Sequence, residues 1–418
     1  MRILHVSQNY FPSVGGPQYT IKHVSEKLVS YYGDEVQVCT TNSLYNPEAK
    51  LFKKIVPAVE TIGQVQVNRL PFNRWHYPLI EVLGKVYGKA SGNPLPQTIT
   101  KHRWELDSPA IKDMMAESNA DVIMATTIIY SFSDYPLWRL KTRNAKPFVL
   151  YGAIHLHKAL AENSTLIKRA KACDCYIANT DFEKDELVGY GVEEDKIVTI
   201  GTGIELDDFS TPTEEVKLFR QKNGIHETEV LVGFIGRLVK GKGVAILIDA
   251  FRKLHAENKK VKLLLAGGTT EYVPEIKRVI EEEKLPIILI ENFDEKIKPV
   301  LFNALDIFVL ASQSESFGVV FLEAWACKKP VIGSRMGAIQ SLLSEQMDSL
   351  LFEPGNAESL KAAIQLLVGD LNARNFLGNN GYNKVVENYT WKKVVEKYRY
   401  AYQLGIRNFK SNTKKSLV

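Results

Sequence analysis

Glu315-Ser316-Phe317-Gly318-Val319-Val320-Phe321-Leu322-Glu323-Ala324 is the stretch that decides how the chain is read. A polar loop bearing one carboxylate runs into a helical segment that is apolar on every side, except for a second carboxylate about two turns in. A helix of that kind belongs in an interior. An ionised glutamate buried there is costly unless it is paired or hydrogen-bonded, so Glu323 needs a partner. The loop ahead supplies backbone N–H groups at a helix N-terminus, where an anion is favoured. A carboxylate beside such a cradle suggests a nucleotide, with hydroxyls for Glu323 and phosphates for the N–H groups around Phe317, Gly318 and Val319. Spacing alone is weak evidence, because most carboxylate pairs are solvated surface groups. The Phe-Gly break and the preceding apolar run Ile307-Phe308-Val309-Leu310-Ala311 set this pair apart.

Working outward, the chain alternates short apolar runs with helical segments, the pattern of parallel sheets wrapped by helices. Strands are expected at 2–7, 36–41, 66–72, 121–127, 148–152, 174–179 and 196–200. A second series is expected at 230–236, 262–266, 287–290, 307–311, 330–334 and 349–352, after a turn-forming connection at 202–209. The fold class is therefore α/β, with two doubly wound, Rossmann-like domains. Ligands bind beyond the strand C-termini of such sheets, so two facing sheets would place a cleft between them. Helical patterns at 357–367 and 391–404 close the sequence, and the Lys- and Ser-rich tail at 407–418 is expected to be disordered.

A length of 418 residues fits two domains of about 200 each better than one core. Hydrophobic residues at 45% and charged residues at 24% are globular values. No apolar run approaches the ~18 residues of a membrane span. Met1-Arg2-Ile3-Leu4-His5-Val6-Ser7 reads as a strand, without signal-peptide architecture. Cys39, Cys173, Cys175 and Cys327 lie in apolar segments at spacings poor for zinc, as small core thiols of a reducing compartment would. The expectation is a cytoplasmic protein.

The net charge of +5 is unevenly spread. The stretch 53–103 holds Lys53, Lys54, Arg69, Arg74, Lys85, Lys89, Lys101 and Arg103 against Glu60 and Glu81. Trp75, Tyr77 and Tyr87 are interleaved with them. That mixture could hold an anionic acceptor or touch a membrane surface, or be a solvated, irregular insertion. No nucleic-acid motif accompanies it, so nucleic acid is not an expected partner.

Two further loops carry chemistry. In Phe11-Pro12-Ser13-Val14-Gly15-Gly16-Pro17, the glycine pair lies between the first strand and a helix. There Gly15 and Gly16 let the backbone approach a ligand and free N–H groups for an anion, although plain strand-to-helix turns use such glycines too. In Gly236-Arg237-Leu238-Val239-Lys240-Gly241-Lys242-Gly243, an arginine at a strand end and a lysine five residues later, Arg237 and Lys242, can converge on an anion, with Lys240 as a nearby decoy for that role.

Taken with the seven-residue spacing from Glu315 to Glu323 and the Pro330-Val331-Ile332 strand, these motifs resemble the retaining GT-B glycosyltransferases of family 4, also called glycosyl transferases group 1. The resemblance spans roughly 1–405 and is strongest over 230–355. It implies two Rossmann-like domains facing each other across a cleft. Residues 1–205 would bind the acceptor, the helix at 391–405 would pack back on them, and 206–390 would bind the nucleotide-sugar donor. It also implies transfer of a sugar from a nucleoside diphosphate, uridine or guanosine, to a hydroxyl acceptor with retention. In that scheme Glu315 holds sugar hydroxyls, Glu323 the ribose, Arg237 and Lys242 the diphosphate. Gly15 and Gly16 lie by the phosphates and acceptor. A histidine after the strand at 148–152 would sit near the transferred sugar, and its His-x-His spacing favours His155 over His157. No Asp-x-Asp is present, so basic side chains are expected to neutralise the diphosphate, with no metal and no other cofactor. Ser341 stands where the family has a glutamate. An epimerase or phosphorylase of the same fold is the rival reading, ahead of a non-catalytic sugar-binding protein.

Overall fold

Short runs of Val, Ile and Leu, apolar on both faces, seed two sheets in the computed structural model. It describes residues 1–13, 15–46, 51–54, 58–73, 76–91, 106, 108–142, 144–152 and 164–415. The chain divides into two units: residues 1–178, 184–200 and 395–418 form the first, and 179–183 with 201–394 form the second.

Among the described residues, ten strands belong to the first unit: β1 (Arg2–Ser7), β2 (Glu35–Thr41), β3 (Ser43–Asn46), β4 (Leu51–Lys54), β5 (Val59–Ile62), β6 (Val65–Leu70), β7 (Val122–Thr126), β8 (Phe148–Tyr151), β9 (Cys175–Ala178) and β10 (Ile197–Thr199). Eight make one sheet in the order β10-β9-β8-β7-β1-β2-β6-β5, parallel throughout except where β5 runs antiparallel to β6. Strands covered on both faces must be apolar throughout, which is why β1 is buried from Ile3 to Ser7. His5 is its polar exception. Its Nδ1 meets Ser25 Oγ at 2.7 Å and its Nε2 meets Tyr402 Oη at 2.8 Å. Burial pulls its pKa down to about 3.

The antiparallel pair β3–β4 and the edge strand β5 escaped the sequence reading. β5 alternates exposed and half-buried residues instead of forming an apolar run. Arg69, counted with the surface cations, is internal. It is 2% exposed, pairs with Glu60 at 2.5 Å and donates to the Phe11 carbonyl at 2.7 Å. Nor is 53–103 wholly irregular, because it includes β5, β6 and the helix His76–Ser91. Arg74, Trp75, Lys101 and Arg103 lie outside the described residues.

The tail departs from expectation as well. The last helix runs Trp391–Lys415, well past the point where disorder was expected. Gly405 lies close to β8, where an added Cβ would be 2.9 Å from Val149 Cγ2. Asn408 Nδ2 donates to the Asp174 carbonyl at 2.9 Å, and the Arg139 guanidinium stacks 4.8 Å from the Phe409 ring centre. Contacts in successive turns hold a helix whose outer face is lysine-rich.

In the second unit β11 (Val230–Ile235), β12 (Val261–Gly267), β13 (Ile287–Glu291), β14 (Ile307–Leu310), β15 (Val331–Ser334) and β16 (Ser349–Phe352) are all parallel, in the order β13-β12-β11-β14-β15-β16. The chain reverses its direction of winding between β11 and β14, so the loops after these two strands meet at the switch point. The helix Leu371–Asn388 was not foreseen. Gly378 and Gly381 lie on its packed side: Cβ atoms there would fall 2.0 Å from the Lys328 carbonyl and from Trp325 Cδ1. No described helix is long and apolar enough to cross a membrane.

Candidate functional site

At the switch point of the second unit, the loop 236–243 leaves β11 and the loop 311–318 leaves β14. They are hydrogen-bonded together: Gln313 N donates to the Gly241 carbonyl at 3.2 Å and Ser312 Oγ to the same oxygen at 3.3 Å. Gly243 makes that approach possible. Its φ is +73°, and an added Cβ would lie 1.9 Å from the Ala311 carbonyl oxygen. Only glycine fits there.

Lys242 closes the 3-10 turn Lys240–Lys242 and places Nζ 2.5 Å from Glu315 Oε1. Glu315 is well shielded, with its side chain 9% exposed. Arg237, just beyond β11, is exposed, and its guanidinium has no partner among the described residues. Lys240 turns the other way. It pairs with Glu275 at 3.2 Å, lies 5.2 Å from the Tyr272 ring centre, and is 73% exposed. Lys242 therefore borders the β14 loop, Arg237 stands open at the end of β11, and the decoy turns away.

The loop after β14 enters the helix Val319–Ala326 through Gly318, at φ +94°. Phe317 is buried, edge-on to Tyr389 at 5.6 Å between ring centres. Its ring fills the space beside Gly201, where a Cβ would be 2.6 Å away. Phe317 is thus an anchor of the loop. The backbone N–H groups of Phe317, Gly318 and Val319 have no acceptor among the described residues, which is the exposed positive end a helix offers an anion.

Glu323 is as buried as its apolar helix requires, at 8%. Its partner is one the sequence reading missed: Lys298 Nζ lies 2.6 Å from Glu323 Oε1. Lys298 opens the helix Lys298–Ala304, and no spacing rule connects it to Glu323. Burial lifts the Glu323 pKa above the usual carboxylate value, against the opposing pull of Lys298. Oε2 of Glu323 is buried without a hydrogen-bond partner. An unpaired oxygen of that kind is costly, and a donor hydroxyl is the chemistry that would satisfy it.

Gly15 and Gly16 belong to the first unit, at the start of the helix Gly16–Tyr32. A Cβ on Gly16 would meet nothing within 4 Å, and one on Gly15 would meet only the flexible end of Gln18. Internal packing therefore does not demand either glycine. His155 and His157 lie outside the described residues. Ser341, at the family's glutamate position, accepts a hydrogen bond from Phe182 N at 3.1 Å. Cys39, Cys173, Cys175 and Cys327 are free and buried, and burial pushes the Cys39, Cys175 and Cys327 thiols up to about 12. Among the described residues, no three or more His, Cys, Asp or Glu side chains are grouped to hold a metal.

Residues 14–208 match the family described as Glycosyltransferase Family 4, and residues 215–384 match Glycosyl transferases group 1. The chain belongs to these glycosyltransferases. An uncharacterized glycosyltransferase of Methanocaldococcus jannaschii is 25% identical over 56% of this chain and 61% of its own length. A D-inositol 3-phosphate glycosyltransferase of Corynebacterium urealyticum is 29% identical over 54% and 56%. The chain thus spans less than two thirds of these relatives. In fold, it is similar to HepE of Anabaena, solved in complex with UDP, with a TM-score of 0.70 at 19% identity over 96% of this chain and 98% of that one. Sucrose-phosphate synthase of Thermosynechococcus elongatus gives 0.70 at 22% identity over 96% and 98%. Both units are Rossmann-like, and the fold is GT-B.

Proposed function

We propose that the protein transfers a sugar from a nucleoside diphosphate to a hydroxyl acceptor, retaining the anomeric configuration and using no metal. One observation carries this: the β11 loop bearing Arg237 and Lys242, the β14 loop bearing Glu315, and the open N-terminus of the helix Val319–Ala326 lie at a single sheet switch point, with Lys242 on Glu315. Arg237 and Lys242 would take the diphosphate together with the N–H groups of Phe317, Gly318 and Val319. Lys242 would exchange its contact with Glu315 for phosphate, freeing the carboxylate to hold sugar hydroxyls. Glu323 Oε2 would accept from the ribose. In the front-side route, the bond between the anomeric carbon and the phosphate oxygen breaks, and the acceptor oxygen bonds on the same face. The acceptor's proton passes to the departing phosphate.

The first unit, with Gly15, Gly16 and His155, would serve the acceptor and the sugar. The basic stretch 53–103 would meet an anionic acceptor or a lipid surface. Four unpaired, buried thiols fit a cytoplasmic setting. The test is a panel of uridine and guanosine diphosphate sugars, read first by thermal shift and then by transfer. Glu315→Ala is expected to lower kcat at least ~100-fold, as loss of a transition-state contact does, and Lys240→Ala to leave it near parental. Equal, small effects for both would remove the assignment. Turnover of donor without acceptor, giving a rearranged nucleotide sugar, would favour an epimerase.

A further inference from the structure

The helix His76–Ser91 lies with its apolar side outward. Ile80 is buried at 8%, and Gly84 and Gly88, one turn apart, are half-buried on the same side. That face rests on the protein. The opposite face carries Leu79 at 57% exposure, Val82 at 59%, Leu83 at 51% and Val86 at 60%. Their spacing of three, four and seven residues makes one continuous stripe. Lys85 and Lys89 are exposed and one turn apart, along one border of the stripe. Lone exposed apolar residues are ordinary, but four in one stripe mark a contact surface.

Charge selects the occupant. Two copies meeting antiparallel through this stripe would bring their lysine borders to one side, like facing like, and two meeting in parallel would leave the lysines without a partner anion. An anionic bilayer offers acyl chains to the stripe and phosphates to the lysines, whose stems reach the interface. With the internal pair Arg69–Glu60 set aside, the sequence around the helix has the same sign, seven Lys and Arg against one Glu over 53–103. We infer that the helix His76–Ser91 docks on an anionic membrane surface, with Leu79, Val82, Leu83 and Val86 entering the headgroup–acyl boundary and Lys85 and Lys89 meeting lipid phosphates. This deepens the proposed role of the basic stretch and is independent of the donor site.

The experiment is co-sedimentation of the full chain with vesicles of phosphatidylcholine alone or mixed with phosphatidylglycerol. Binding is expected only to the mixed vesicles and to fall with added salt. A variant carrying Leu79→Ser, Val82→Ser, Leu83→Ser and Val86→Ser should bind more than ~10-fold more weakly. Lys85→Gln with Lys89→Gln should weaken binding chiefly at low salt. Donor-induced thermal shift, equal in parent and variants, reports an intact second unit. Its absence in all of them would count against the donor reading and leave the vesicle result standing. Three outcomes would overturn docking: no vesicle binding by the parent, undiminished binding by the four-serine variant, or a parental dimer that this variant turns into a monomer.

Discussion

Lys298→Met removes the only cation, among the described residues, within 2.6 Å of a carboxylate that is 8% exposed. Glu323 Oε2 already lacks a partner, so the substitution leaves the whole carboxylate uncompensated. Breaking a buried pair by removing one member costs ~3–5 kcal/mol. The Lys298 side chain is 22% exposed, which points to the lower end, roughly 3 kcal/mol. With a urea dependence of ~2 kcal/mol per molar, the unfolding midpoint of the second unit should fall by ~1.5 M. The deficit has a definite pH sign. Burial already holds the Glu323 pKa above its unfolded value, with Lys298 opposing, so the folded state keeps its proton longer than the unfolded state does. Its contribution is complete below the unfolded pKa and is lost as pH rises through the folded one. Without Lys298 the folded value climbs further. The gap between variant and parent should then widen by up to ~1.4 kcal/mol per pH unit between about pH 5 and 8. Urea titrations at both pH values, monitored by fluorescence, measure it. Adding Glu323→Gln should restore most of the loss. A variant that melts with the parent at pH 8, or whose deficit is larger in acid, would refute the buried-pair account.

Other perturbations test other parts of the fold. His5, buried and held near 3, stays neutral in the folded protein while the unfolded chain takes a proton below about 6.5. Stability should therefore drop by up to ~1.4 kcal/mol per unit as pH falls from about 6.5 towards 3. His5→Gln should narrow its gap to the parent across that range, and a gap in melting temperature unchanged between pH 7.5 and 5 would contradict this. Gly243→Ala should cost about 1–3 kcal/mol through its positive φ, and more through the clash with the Ala311 carbonyl. Gly241→Ala, with nothing within 4 Å of the new Cβ, is expected to be mild. Matching urea midpoints for the two variants would show that the loop does not pack on β14 as described.

How much could be read beforehand depended on what each element buries. The parallel strands were legible because a strand covered on both faces has to be a continuous apolar run, as in β1, β11 and β14. β5 was not, since an edge strand carries half of such a signal. The helix Leu371–Asn388 hides its packed face in glycines, which hydropathy cannot see although Gly381 lies directly on Trp325. The tail looked disordered because its composition is set by its outer face, whereas its order comes from Asn408 and Phe409.

The sequence by itself determined the two α/β units and the local chemistry of the loops. Arg237, Lys242, Glu315 and Glu323 stand out because charge next to glycine, or alone in an apolar helix, is a pattern carried along the chain. Tertiary structure decided the pairings. Lys242 meets Glu315 because β14 lies next to β11 in the sheet although three helices and two strands separate them in the chain. Lys298 reaches Glu323 because two helices pack side by side, and the His76–Ser91 helix turns its leucines outward because glycines occupy its inner face. Each of these depends on distances in space, which follow from strand order and close approach and not from separation in sequence.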